Sequence, residues 1–99
     1  LGGTPLVMAA VGDDGAEYLE RLRGWGAGTE FVRTEPGSYT AQAMIITDTD
    51  NNQITAFHPG AMQAAHLTRI EPRDDLRIAI IAPDGRDAML QHAAQLGHV

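Results

Sequence analysis

Leu6-Val7-Met8-Ala9-Ala10-Val11-Gly12-Asp13-Asp14-Gly15 is the stretch that sets the fold class. Its first part, Leu6 to Val11, is uninterrupted apolar sequence between Pro5 and Gly12. A run of this length predicts a strand buried on both faces, as in a parallel sheet. A short helical segment is the competing reading, and Gly12 with the two valines favours the strand. Helical spacing follows directly. Tyr18, Leu19, Leu22 and Trp25 fall on one face, and Glu17, Glu20, Arg21 and Arg23 on the other. Gly24, Gly26 and Gly28 end this helix, glycine being suited to a left-handed C-cap.

Further along, the period changes. Ser38 to Thr47 alternates, so Ala41, Ala43 and Ile45 share one strand face and Thr40, Gln42, Met44 and Ile46 the other. Asp48-Thr49-Asp50-Asn51-Asn52 is a turn cluster. Gln53 to His58 then returns as a second strand, with Thr55 and Phe57 on one side and Ile54 and Ala56 on the other. Pro59-Gly60 breaks the pattern, and Ala61 to Ile70 holds room for a short helix before Pro72. Leu76 to Ala82 reads as a second buried-type strand. A helix follows from Asp84 to about Leu96, with Met89, Leu90, Ala93, Ala94 and Leu96 as its apolar side and Gly97 at its C-cap. The order strand, helix, hairpin, strand, helix predicts an α/β fold with a parallel sheet, into which the hairpin is inserted as a flap.

Composition removes several classes of function. The formal net charge of −6 argues against nucleic acid and against an anionic membrane surface as partners, because both select basic stripes. The sequence contains no cysteine, which excludes disulfides, thiolate nucleophiles and Cys-ligated zinc, and it is compatible with a reducing cytoplasm. No apolar run approaches the roughly 18 residues of a membrane span. The beginning, Leu1-Gly2-Gly3-Thr4-Pro5, lacks Met and a signal-peptide pattern, and Gly97-His98-Val99 stops where another strand is due. Both ends read as cut, so the expectation is an internal piece of a longer chain.

Five segments in collinear order resemble the PfkB (ribokinase-like) family of carbohydrate and nucleoside kinases. Gly12-Asp13-Asp14-Gly15 resembles the family's Gly-Asp-Asp/Glu-x-x-Gly segment, and Gly24-Trp25-Gly26-Ala27-Gly28 its glycine-rich helix ending. Ser38-Tyr39-Thr40-Ala41-Gln42-Ala43 resembles its Thr-x-x-Ala lid strand, and His58-Pro59-Gly60-Ala61-Met62 its x-x-Gly-Ala-Asn segment. Ile78 to Ala82 resembles its next core strand. The stretch from Thr40 to Met62 is most similar to bacterial adenosine-kinase-like members.

The resemblance implies part of a Rossmann-like ribokinase fold with an inserted β-hairpin lid. Residues 1–28 would be a strand–helix core unit, 29–60 the lid, and 61–99 a helix, core strand and helix. It further implies ATP-dependent phosphorylation of a hydroxymethyl group with magnesium, a small sugar or nucleoside as substrate with adenosine favoured, and a cytoplasmic location. Pairing of two copies through the lid strands is also expected, since open strand edges pair readily. The family's catalytic Asp stands in a Gly-Ala-Gly-Asp motif. That motif does not occur here, and Trp25-Gly26-Ala27-Gly28 is followed by Thr29. The family's Gly-Gly pair with a nearby Asn is also missing. Catalytic residues, and most of the ATP and magnesium contacts, are therefore expected outside these residues. A non-catalytic α/β binding or interaction module is the alternative.

The candidate site is the hairpin face with Ala43, Ile45 and Phe57, which suits a ribose face or a purine ring. Packing of the lid onto the body is the competing role. Gln42 and Gln53 carry amides suited to a base edge, although Gln42 lies on the face opposite Ala43. Asp13 and Asp14 either cap the first helix or hold a cation, with capping favoured. Asp84 is read as the cap of the last helix with Asp87 in its first turn, and Arg86 as either a phosphate contact or solvated surface. His58, His66, His92 and His98 have no metal-ligand spacing.

Overall fold

The structure is a computed structural model that describes residues 2–97. Leu1, His98 and Val99, which the reading of the chain ends and of the histidines includes, lie outside the described residues.

The apolar run forms β1 (Leu6–Val11) and the helical pattern forms α1 (Ala16–Gly24). The helix ends as a Schellman motif: the Gly26 N–H donates to Arg23 O at 2.9 Å, and the Ala27 N–H to Leu22 O at 3.1 Å. Gly26 sits at φ +82°, where a side chain is strained. The chain then enters β2 (Gly28–Thr34), which pairs parallel to β1 with Met8 opposite Phe31 and Val11 opposite Thr34. The strand β2 is absent from the sequence reading. Its Phe31 and Val32 are adjacent rather than alternating, so they carry no period-two signal.

Two expectations about this unit need correction. Among the described residues β1 is not buried on both faces, since only Val11 is buried and Leu6 is 37% exposed. The apolar stripe of α1 is likewise half used. Leu19 is buried, whereas Tyr18 and Trp25 are 56% and 71% exposed. Both results have one cause. A sheet of two strands, about 4.8 Å apart, is too narrow to cover the stripe or to shield both sides of β1.

The hairpin consists of β3 (Gln42–Thr47) and β4 (Gln53–His58), paired antiparallel from Gln42 opposite His58 to Thr47 opposite Gln53. Its ladder begins later than the alternation at Ser38 suggests, because the backbones of Ser38, Tyr39 and Thr40 bond to other segments. The turn closes on Asp48. Its carboxylate accepts from the Asp50 and Asn52 N–H groups at 2.8 and 2.9 Å, and Asn51 takes the left-handed conformation at φ 64°.

After Gly60 a 3₁₀ helix, η1 (Gly60–Leu67), buries Ala61 and Ala65 and packs on β1 and on α2 (Arg86–Leu96). The fully buried residues of α2 are Ala88 and His92; of the predicted side Met89 and Leu96 are half-buried, whereas Leu90 is 58% exposed and Ala93 and Ala94 are exposed. Polar pinning selects that face. His92 Nε2 lies 2.8 Å from Thr68 O, and Gln95 Oε1 accepts from the Ile70 N–H at 2.8 Å. Gly97 does occupy the C-cap position, but in the right-handed conformation at φ −65°.

Leu76 to Ala82 forms no strand among the described residues, and Ile78 and Ile80 are 79% and 87% exposed. A strand exists only through a ladder partner. Here the parallel sheet is β1–β2 alone, and this stretch does not join it.

Candidate functional site

Both parallel strands end in the same place. Gly12 follows β1, and the Glu35 N–H that follows β2 donates to Val11 O at 2.8 Å. Ligands of α/β sheets collect at such carboxyl ends. The hairpin is rooted here. The Asp13 N–H donates to Ser38 O at 2.9 Å, and the Gly37 N–H donates to the Asp13 carboxylate at 2.9 Å. Asp14 accepts twice from Thr40, from its N–H at 2.8 Å and from its hydroxyl at 2.7 Å. The same hydroxyl accepts from the Gly12 N–H at 3.0 Å. The two roots are tied together by the Ala61 N–H, which donates to Tyr39 O at 2.8 Å.

Two glycines make this approach possible. A Cβ on Gly12 would stand 2.1 Å from Ser38 O, and one on Gly60 2.1 Å from Tyr39 O, with Gly60 at φ +48°. Backbone contacts that close exclude any side chain. The acidic pair does not cap α1. The N-cap position of α1 is Gly15, with no side-chain cap bond, and the Asp13 and Asp14 carboxylates face the hairpin root instead. The bond from the Thr40 hydroxyl, reinforced by the Thr40 N–H, holds the Asp14 carboxyl below the ordinary carboxylate value.

On the hairpin, Ala43 lies opposite Phe57 and Ile45 opposite Thr55. Alternation puts all four on one face. All are exposed, with Ile45 and Phe57 each 56% accessible. Ala43, Ile45 and Phe57 thus form one contiguous apolar surface. The opposite face carries Met44, Ile46 and Ile54, which are 60%, 71% and 74% exposed. Gln42 lies on that opposite face at the root, across from His58. Gln53 stands at the tip, where its amide donates to the Thr47 hydroxyl at 3.2 Å. The two glutamines are therefore at opposite ends of the hairpin and do not form one recognition edge.

A recess of about 420 Å³ opens at the root, lined by Ser38, Tyr39, His58, Pro59, Gly60 and Gln63. Of these, Gln63 carries no local sequence signal that marks it as facing the root. A smaller recess of about 310 Å³ lies between η1 and the start of α2, with His66 and Arg86 in its wall. Arg86 is paired with Asp87 at 3.3 Å there, on a solvated surface. Asp84 does not cap α2. Its carboxylate accepts only the adjacent Gly85 N–H at 2.7 Å, and Gly85 is the N-cap; Asp87 does sit in the first turn.

Comparison with known proteins fits this arrangement. Over 99% of its length the chain superposes on the nucleoside kinase of Burkholderia thailandensis in complex with inosine, with a TM-score of 0.88 and 46% identity. The ligand-free form of that enzyme gives a TM-score of 0.82. Against the nucleoside kinase of Methanocaldococcus jannaschii, an archaeal member of the ribokinase family, the TM-score is 0.81 at 28% identity over 96% of this chain. Along nearly its whole length this chain is similar to a segment of ribokinase-family nucleoside kinases. A nucleoside kinase of Methanothermobacter thermautotrophicus is 41% identical over 59 residues, which are 59% of this chain and 19% of that protein. No family model matches. The chain spans about a third of the solved relatives, 32% of both the Burkholderia and the Methanocaldococcus enzymes. Within the ribokinase-family fold the segment contributes a strand–helix–strand unit, the hairpin, and the η1–α2 pair. Among the described residues no helix is long and apolar enough to cross a membrane.

Proposed function

We propose that the protein containing these residues is an ATP-dependent nucleoside kinase that phosphorylates the 5′-hydroxymethyl group of a purine nucleoside, adenosine and inosine being the first candidates. The observation that carries this reading is the 46% identity to a nucleoside kinase along 99% of the chain. Inosine and ADP–inosine complexes of that relative support a purine acceptor and an adenine nucleotide donor.

In this reading the hairpin is the lid. Ala43, Ile45 and Phe57 cover the nucleoside, with the Phe57 ring beside the base and Ala43 leaving room across the ladder. Their closure excludes water, so the γ-phosphoryl group passes to the acceptor rather than to solvent. Catalysis of this kind rests on positioning and charge stabilisation. Magnesium would neutralise the transferring phosphates, yet the described residues do not fit a site for it. No three acidic or histidine side chains converge among them, and Asp13 and Asp14 are bonded to Gly37 and Thr40. What these residues do is bind and cover the acceptor. Leu76 to Ala82 would become a sheet strand when a ladder partner outside residues 2–97 is present. The exposed Met44, Ile46 and Ile54 face supports pairing of two copies through their hairpins. A cytoplasmic location, where ATP is abundant, is consistent with this reading.

The test is product identification with the complete encoded protein. Incubated with ATP and adenosine, inosine or free ribose, it is expected to yield the nucleoside 5′-monophosphates and little ribose phosphate. Phosphorylation of ribose in preference to both nucleosides would refute the reading.

A further inference from the structure

The hairpin is a cantilever. Every residue of β3 and β4 is exposed, and among the described residues the two strands pack chiefly on each other. Burial against the body therefore does not fix the angle at which the hairpin leaves it. The bonds at its root do.

Those bonds converge on one side chain. The Thr40 hydroxyl has one proton to donate and lone pairs to accept. It donates to Asp14 at 2.7 Å and accepts from the Gly12 N–H at 3.0 Å, so one oxygen joins the end of β1, the β1–α1 turn and the outgoing root. The Thr40 N–H adds a third bond, again to Asp14 at 2.8 Å. Gly12 is buried, so losing the hydroxyl leaves its N–H without this partner in a place water does not readily reach. Among the described residues the returning root has no such side-chain anchor; it is held by the Ala61 N–H to Tyr39 O bond at 2.8 Å.

We infer that Thr40 and Asp14 are positioning residues that set the angle of the hairpin, through the hydroxyl shared between the Gly12 amide and the Asp14 carboxylate. Neither residue needs to touch substrate. Their effect is on how the face bearing Ala43, Ile45 and Phe57 is presented, which for its kinetic consequence rests on the nucleoside-kinase reading above.

The test uses the complete encoded protein with spin labels at Thr49, on the hairpin turn, and Glu20, on α1, both exposed. Thr40→Val keeps the shape and removes the hydroxyl, Thr40→Ser keeps the hydroxyl, and Asp14→Ala removes its acceptor. Thr40→Val and Asp14→Ala are expected to broaden the label-to-label distance distribution, while Thr40→Ser stays as narrow as the parent. In the kinetic arm, Thr40→Val should raise KM for the nucleoside roughly tenfold, the size of a lost hydrogen bond to a charged group, with KM for ATP changed less than about twofold. A Thr40→Val distribution as narrow as the parent's overturns the inference, and so does a Thr40→Ser variant as broad as Thr40→Val. Should the protein phosphorylate no nucleoside, the distance measurement alone decides, so failure of the kinase reading and failure of the latch are told apart.

Discussion

Ala43 and Phe57 are direct cross-strand partners on the hairpin, and both are exposed. An aromatic ring opposite the smallest apolar side chain leaves a shallow step on that face. Left to water, exposed apolar surface is unfavourable, so a face built this way is suited to be covered. The proposal that a nucleoside covers it leads to the first prediction. Phe57→Ala should raise KM for purine nucleosides by about fivefold to a hundredfold, since stacking of a base on an aromatic side chain contributes about 1–3 kcal/mol. Ala43→Leu should do the same by filling the step. Steady-state kinetics with nucleoside and ATP varied separately check both, and an equal effect on the two KM values would contradict the assignment.

The root glycines give a prediction about stability. Gly12→Ala and Gly60→Ala each introduce a Cβ 2.1 Å from a backbone oxygen. Backbone cannot move aside as a flexible side chain can, so each should destabilise by about 1–3 kcal/mol or more. Gly24→Ala, where a Cβ meets nothing within 4 Å, is the control and should be neutral or slightly stabilising. Denaturant titration of the three variants in the complete protein measures this directly.

At the hairpin tip, Asn51 holds φ 64°. Asn51→Gly should be tolerated, because glycine enters the left-handed region freely. Asn51→Val should cost about 1–2 kcal/mol, because its branched side chain crowds the following carbonyl. The two variants have similar exposure, so a melting comparison isolates the backbone effect.

Asp14 and Asp48 should titrate below the usual range. Asp14 is held down first by the Thr40 hydroxyl, and Asp48 first by the Asn52 side chain and then by its N–H. Unfolded aspartates titrate near about 3.9. A depressed folded value means that the folded state binds fewer protons. The stabilisation is therefore complete above the unfolded value and is lost as pH falls through the folded ones. Carboxyl ¹³C titration by NMR should place both residues below the ordinary value. Either one titrating at or above it would contradict the hydrogen bonds described.

Local pattern made much of this legible and contact order hid the rest. Leu6 to Val11 and the α1 face declare themselves through apolar spacing, and the hairpin through alternation on either side of Asp48 to Asn52. Gly28–Thr34 lacks alternation and so carries no strand signal, though it supplies the whole of the partner for β1. Asp13 and Asp14 look like caps because capping is a local role, whereas their partners Gly37 and Thr40 lie 24 and 26 residues away. The centre of the buried α2 face is hidden for a related reason. Ala88 and His92 are chosen by the fit to η1 and the Thr68 carbonyl, which apolar counting cannot see. The grouping of Ala43, Ile45 and Phe57 on one surface was recoverable, since it needs only strand parity and a turn of known length.

The most direct test of the lid assignment is a crystal structure of the complete protein with inosine bound. The expected result is the Phe57 ring in van der Waals contact with the purine, at about 3.5–4 Å, and Ala43 and Ile45 against the same ligand. Inosine seated elsewhere, with that hairpin face turned to solvent, would contradict it and return the hairpin to a binding or packing role.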